Sequence, residues 1–172
     1  MANQVEKLAA KAMGNVKSGL AAAKGLKGVF LTLAKEHGES SVLMKRCAAS
    51  HEREKRTELW EEVRRALLSH EKAEVKIVYP VLHERAGTEA MAQQHDREAQ
   101  TMEEMIQRLE ELDIESRAWT ELFSKLEDTV QHHAHEEESD IFPAAMDALD
   151  EDEPDALQSR YENEKERVLA EL

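Results

Sequence analysis

Two stretches of this chain share a frame and almost nothing else. Residues 70–80 read HEKAEVKIVYP, and residues 133–143 read HAHEEESDIFP. In each, a His is followed after three residues by a Glu, and after four more by an aromatic ring and a Pro; the copies lie 63 positions apart. A four-residue step is close to one helical turn, so the His and Glu of each copy stand on one helix face, ~6 Å apart along the axis. A chain that writes this frame twice is expected to be helical, and both faces need a common destination.

The rest of the sequence agrees on helices. Apolar residues recur at three- and four-residue steps, and strand-like alternation is missing. Ala, Glu, Leu, Lys and Arg dominate, with six Gly, three Pro and only 4% aromatic residues to interrupt them. The spacing predicts a leading helix over about 2–23, loosened by Gly14, Gly19 and Gly25. It then predicts helices over about 26–51, 56–84 (its last turns bent by Pro80), 88–112 and 116–148, and a tail helix from Pro154 to about 170. Gly87 is the expected stop, Thr88 and Ser116 are the expected caps, and the junction at HEREKRT carries neither Gly nor Pro. The fold class is therefore all-α. An antiparallel up-down-up-down four-helix bundle is expected over residues 26–149, with a basic N-terminal helical segment over 1–25 and an acidic C-terminal helix over 150–172.

Charge narrows the partners. The net charge is −14, but residues 1–35 hold six Lys and one Glu, so the remainder carries about −19. An acidic body argues against a nucleic-acid surface. No stretch has the length of an apolar membrane span, and residues 1–20 lack the apolar core of a signal peptide. The one cysteine, Cys47, excludes an internal disulfide framework and fits a reducing compartment, so a cytoplasmic location is expected. No activating base for its thiol is evident.

The frames fall on apolar stripes. One reads Val63, Leu67, His70, Glu74, Ile77, Val81; the other reads Trp119, Leu122, Leu126, Val130, His133, Glu137, Ile141. The rival pair His132 and Glu136 shares its stripe with Lys125, Asp128, Thr129 and Ser139 and is read as solvated, as are His83 and His135. Two further helices each offer one His on a seven-residue spacing, as Phe30, His37, Met44 and as His95, Met102, Leu109. Depth can be checked from the turns. The midpoints between His37 and His70, between the first pair and His95, and between His95 and the second pair fall at 53.5, 83.5 and 115, all near predicted turns. His37, His70, Glu74, His95, His133 and Glu137 should then share one buried layer.

Burying such groups without partners costs several kcal/mol each, so a metal site is expected. Imidazole with carboxylate suits iron, manganese or zinc, and six side chains exceed what a tetrahedral zinc site uses. Two ions, each with two His and both bridged by Glu74 and Glu137, use the set evenly and leave positions open to a small molecule. Glu98, one turn after His95, and Glu71, beside His70, are weaker ligand candidates. Tyr79 and Phe142 lie ~13 Å along their helices from His70 and His133 and are read as core closure. Neither the ferritin-like Glu-x-x-His signature nor His-Glu-x-x-His occurs.

His37, HEKAE with YP, His95, and HAHEE with FP together resemble the hemerythrin-like, HHE cation-binding domain over roughly residues 28–147. The resemblance implies an antiparallel four-helix bundle around a non-haem di-iron centre. It implies two iron ions with an oxo or hydroxo bridge, replaceable by manganese or zinc, on His37, His70, Glu74, His95, His133 and Glu137. The ligand it implies is gaseous or a peroxide: dioxygen, nitric oxide or hydrogen peroxide, handled by a carrier, scavenger or oxidoreductase. The alternatives are a sensor of oxygen, iron or redox state that signals to a protein partner through the terminal segments, and an iron-handling or structural bundle without turnover. Oxygen-carrying hemerythrins have a second His four residues after the first on the third helix. Here that position is Ala99, so the site resembles a four-His, two-Glu subgroup in which redox chemistry or sensing is expected over reversible storage. A homodimer is left open.

Overall fold

The computed structural model describes residues 4–172, so the expected helix start at residue 2 lies outside the described residues. The chain runs α1 Gln4–Ala23, α2 Val29–Ala49, α3 Arg53–Ile77, α4 Tyr79–His83, α5 Glu89–Glu110, α6 Arg117–Glu136, α7 Phe142–Ala148 and α8 Glu153–Glu171. A π-helical turn, Glu137–Ile141, joins α6 to α7. There is no strand among the described residues. Around the bundle α2 packs on α3, α3 on α5, α5 on α6 and α6 back on α2; α1 lies along α2, and α8 lies against α3 and α2. The four-helix bundle with helices added at both ends is the expected architecture.

The aromatic-Pro end of each frame breaks its helix, because a Pro has no N–H to donate to the preceding turn. In the first copy α3 stops at Ile77, with the Val78 N–H still bonded to the Glu74 carbonyl, and α4 begins with Pro80 in its first turn. In the second copy the helix widens instead: the Phe142 N–H bonds the Glu137 carbonyl five residues back, a π turn, and α7 follows with Pro143 in its first turn. The continuous helices expected over 56–84 and 116–148 are thus each interrupted within a turn of the site's glutamate.

The buried apolar residues form two clusters. One gathers Phe30, Leu33, Tyr79, Leu82, Phe142 and Tyr161; the other gathers Met44, Trp60, Leu67, Met102, Trp119 and Phe123. In the second, Trp119 stacks on Phe123 with ring centroids 4.8 Å apart. On α2 the first cluster ends at Ala34 and the second begins at Met44, with His37 between them. The His and Glu layer is the divide between the two clusters.

Ser116 caps α6 as expected, accepting from the Trp119 N–H at 3.0 Å. Thr88 does not cap α5. Its buried hydroxyl donates back to the Leu82 carbonyl at 2.7 Å, tying the turn to α4. The junction without Gly or Pro is held by Arg56, whose guanidinium donates to the Ser50 carbonyl at 2.8 Å and the Ile114 carbonyl at 3.1 Å.

Two glycines fix the terminal helices. A Cβ on Gly38 would stand 2.9 Å from the Met13 carbonyl oxygen, so α1 crosses α2 in direct backbone contact there. Gly14 faces the Lys35 carbonyl in the same crossing; it is a contact residue and not a loosening of α1. Gly28 has φ +52°, and a Cβ on it would lie 2.3 Å from the Pro154 carbonyl group where α8 begins. Gly28→Ala should therefore destabilise the fold by about 1–3 kcal/mol, from backbone strain and displacement of α8. Gly19→Ala, mid-helix with nothing within 4 Å of the new methyl, should stabilise it by about 0.4–1 kcal/mol. Urea denaturation of the two variants measures both signs.

Candidate metal centre

Each helix of the bundle sends one imidazole to the divide: His37 from α2, His70 from α3, His95 from α5 and His133 from α6. Glu74 comes from the last turn of α3, and Glu137 opens the π turn; all six side chains are buried. The four-residue step in each frame brings His and Glu inward together, on stripes whose Leu67 and Leu126 are buried. The imidazoles fall into two pairs, His37 with His70 at 5.0 Å between ring centroids and His95 with His133 at 4.7 Å. Glu137 stands between the pairs. Its Oε2 is 3.1 Å from His37 Nε2, and its Oε1 is 3.3 Å from His95 Nε2. Glu74 Oε2 lies 3.0 Å from His70 Nε2.

The side chains expected in one layer are thus brought together, and Glu71 joins them. Its carboxylate oxygens lie 3.6 Å from His133 Nε2 and 3.9 Å from His95 Nε2. Donor atoms within 4.8 Å of one another form the groups His37, His70, Glu137; Glu74, His95, Glu137; Glu71, His95, His133; and His70, Glu71, Glu74. Any of these could hold a metal ion.

The electrostatics say what is lacking. All four imidazole Nε2 atoms, both Glu74 oxygens, Glu71 Oε2 and Glu137 Oε2 are buried without a hydrogen-bond partner among the described residues. Each orphaned buried polar group costs about 1–3 kcal/mol, more if charged. Burial and the neighbouring charge of Glu137 push the Glu74 carboxyl above its ordinary range. Glu137 is held well below that range, because His133 and His37 outweigh its burial. Burial opposes protonation of the imidazoles, yet the carboxylates win, and His133 is raised to about 10 by Glu137, Glu71 and Glu98. Metal cations facing the same Nε2 and carboxylate atoms would satisfy the orphaned set, so the donor chemistry fits a metal centre.

Three of the four outward nitrogens are also held. Glu138 accepts from His37 Nδ1, Glu36 from His70 Nδ1 and Glu98 from His133 Nδ1, each at 2.9 Å. A carboxylate on Nδ1 fixes the tautomer that leaves Nε2 free for metal. Glu98 therefore holds a histidine from outside instead of facing the divide. Tyr79 does more than close the core. Its ring stacks on His95 at 3.4 Å, and its hydroxyl donates to Glu137 Oε1 at 2.6 Å. Phe142 lies over His37 at 6.0 Å. The aromatic of each frame thus covers a histidine on a neighbouring helix.

Glu36, Glu138 and Tyr79 escape a reading of apolar stripes. Glu36 and Glu138 each sit one residue from an inward group, and that adjacency, together with equal depth on a neighbouring helix, is the signal that could have found them. Of the rival pair, His132 is 68% exposed and Glu136 is half-buried. His83 is half-buried and pairs with Asp96 at 2.8 Å, so it is not free in solvent as expected. Cys47 is buried, and burial pushes its thiol up to about 12, which leaves it inert as a nucleophile.

The family model described as hemerythrin HHE cation binding domain matches residues 24–145, a span that includes every side chain of the cluster. Comparison with curated proteins and with solved structures gives no match.

Two outcomes follow from this geometry. His133→Ala and Glu137→Ala should each lower the metal-to-protein ratio after loading with iron(II), while His132→Ala should leave it unchanged; elemental analysis decides. Metal uptake should also release protons, because the imidazoles that carboxylates keep protonated must be neutral to bind. Apparent affinity should then rise with pH, and calorimetry in buffers of different ionisation enthalpy should return a positive count of protons released.

Proposed function

This chain belongs to the hemerythrin HHE cation binding domain family, and from that premise we propose that it is a non-haem di-iron protein that binds or reacts with a small diatomic or peroxide ligand. The observation that carries the reading is Glu137, whose two oxygens face one imidazole from each pair at 3.1 and 3.3 Å. His37 and His70 would hold one ion, His95 and His133 the other, with Glu74 and Glu137 shared and Glu71 a further donor beside His95 and His133. Iron held by this set would supply one-electron chemistry and a binding position for dioxygen, nitric oxide or peroxide.

The protein's own contribution is orientation and exclusion of water. Nδ1 carboxylates lock three of the imidazoles. Tyr79 donates its hydroxyl to Glu137, and apolar clusters close the layer on both sides. A cleft of about 230 Å³ between α3 and α5, lined by Leu67, Val75, Ala99, Met102 and Ile106 together with Lys72, Asp96 and Glu103, reaches Glu71. Its apolar walls suit a small uncharged ligand. Ala99, the residue that stands where oxygen carriers have a fifth histidine, contributes to that wall.

Anaerobic loading with iron(II) should give two ions per chain. Admitting dioxygen, nitric oxide or hydrogen peroxide should then change the visible charge-transfer absorption. Sustained loss of the added molecule marks an enzyme, and reversal on degassing marks a carrier. Two bound ions with no spectral response to any of the three would refute the proposed reactivity.

A further inference from the structure

We propose that the two terminal helices act as outer supports for the His37 and His70 pair alone, with Lys17, Tyr161 and Lys165 as positioning residues, so that the two metal positions differ in affinity. The proposal rests on the two-ion reading above.

The contacts divide cleanly between the pairs. On one side, Glu138 accepts from His37 Nδ1 and is itself held by Lys17 Nζ of α1 at 2.7 Å. Glu36 accepts from His70 Nδ1 and is held twice by α8: Tyr161 donates its hydroxyl at 2.7 Å, and Lys165 Nζ approaches to 2.5 Å. The Tyr161 oxygen is also 3.2 Å from His70 Nδ1, and its ring is fully buried. Glu36 is kept ionised far below the usual carboxylate range, because His70 and Lys165 outweigh its burial.

On the other side the supports are sparse and internal to the bundle. Glu98 accepts from His133 Nδ1 and is steadied by Gln94 at 2.8 Å, both from α5. His95 Nδ1 has no hydrogen-bond partner among the described residues, and Asp96 stays 3.8 Å away. Lys17, Tyr161 and Lys165 all lie outside residues 24–145, the span that matches the family. A carboxylate on Nδ1 orients the ring and raises its basicity, and the cation and hydroxyl on that carboxylate decide where it points.

The bland alternative is that these contacts only dock α1 and α8, in which case their loss would change stability and not metal binding. Titration of the full chain with cobalt(II), followed by its visible bands, separates the two. The unaltered chain should take two ions. Tyr161→Phe, which keeps the buried ring and removes only the hydroxyl, and Lys165→Met should each weaken one ion by about 10–100-fold and leave the other nearly unchanged. Glu98→Gln should weaken the other ion, and Tyr161→Phe combined with Glu98→Gln should weaken both. In the zinc-loaded protein labelled with ¹⁵N-histidine, Tyr161→Phe should move the Nδ1 resonance of His70 and leave that of His133 in place. Unchanged isotherms with a lowered melting temperature, or equal weakening of both ions by Tyr161→Phe, would overturn the proposal. A single ion bound by the unaltered chain would overturn the two-ion reading itself.

Discussion

Glu74 and Glu137 are buried together, and the rest of the architecture answers to that pairing. Two carboxylates in one dry layer repel each other and have lost their water, so one is driven toward its neutral form unless cations are brought in. Four imidazoles, one from each bundle helix, supply the surrounding positive charge or the donors for metal. That need places His37, His70, His95 and His133 at a common height, and a polar layer at that height splits the apolar interior in two. Aromatic side chains then seal it: Tyr79 over His95, and Phe142 over His37.

Much of this was legible in the sequence, for a physical reason. Helical periodicity reports which side chains point inward, and turn positions report depth. Together they brought His37, His70, Glu74, His95, His133 and Glu137 to one place, and they distinguished His133 from its neighbour His132. Periodicity does not report sideways contacts. Glu36 and Glu138 sit beside the inward stripe and reach a nitrogen from the flank, so a stripe reading passes over them. Tyr79 is far from His70 along the chain, at the start of α4, yet it meets His95 across the bundle. Glu71 and Glu98, both flagged as lesser candidates, divide: the first faces the orphaned nitrogens, the second holds His133 from outside.

The local departures have causes of the same kind. Pro80 and Pro143 each remove a helical donor, and the chain solves the two losses differently, with a break after Ile77 and a π turn after Glu136. Thr88 looks like a cap, but its buried hydroxyl donates to the Leu82 carbonyl and its oxygen accepts from no N–H of α5. Gly14 suggested a slack leading helix because glycine lowers helix propensity. A crossing this close to α2 leaves no room for a side chain there, and packing overrides propensity.

The two frames are alike in writing but not in consequence. The first ends in a ring with a hydroxyl, the second in a ring without one. Tyr79 therefore anchors one oxygen of Glu137, whereas no hydroxyl donates to either oxygen of Glu74. The apparent two-fold symmetry of the pair stops at that phenol. One glutamate is held by a phenol as well as by imidazoles, and the other meets an imidazole alone.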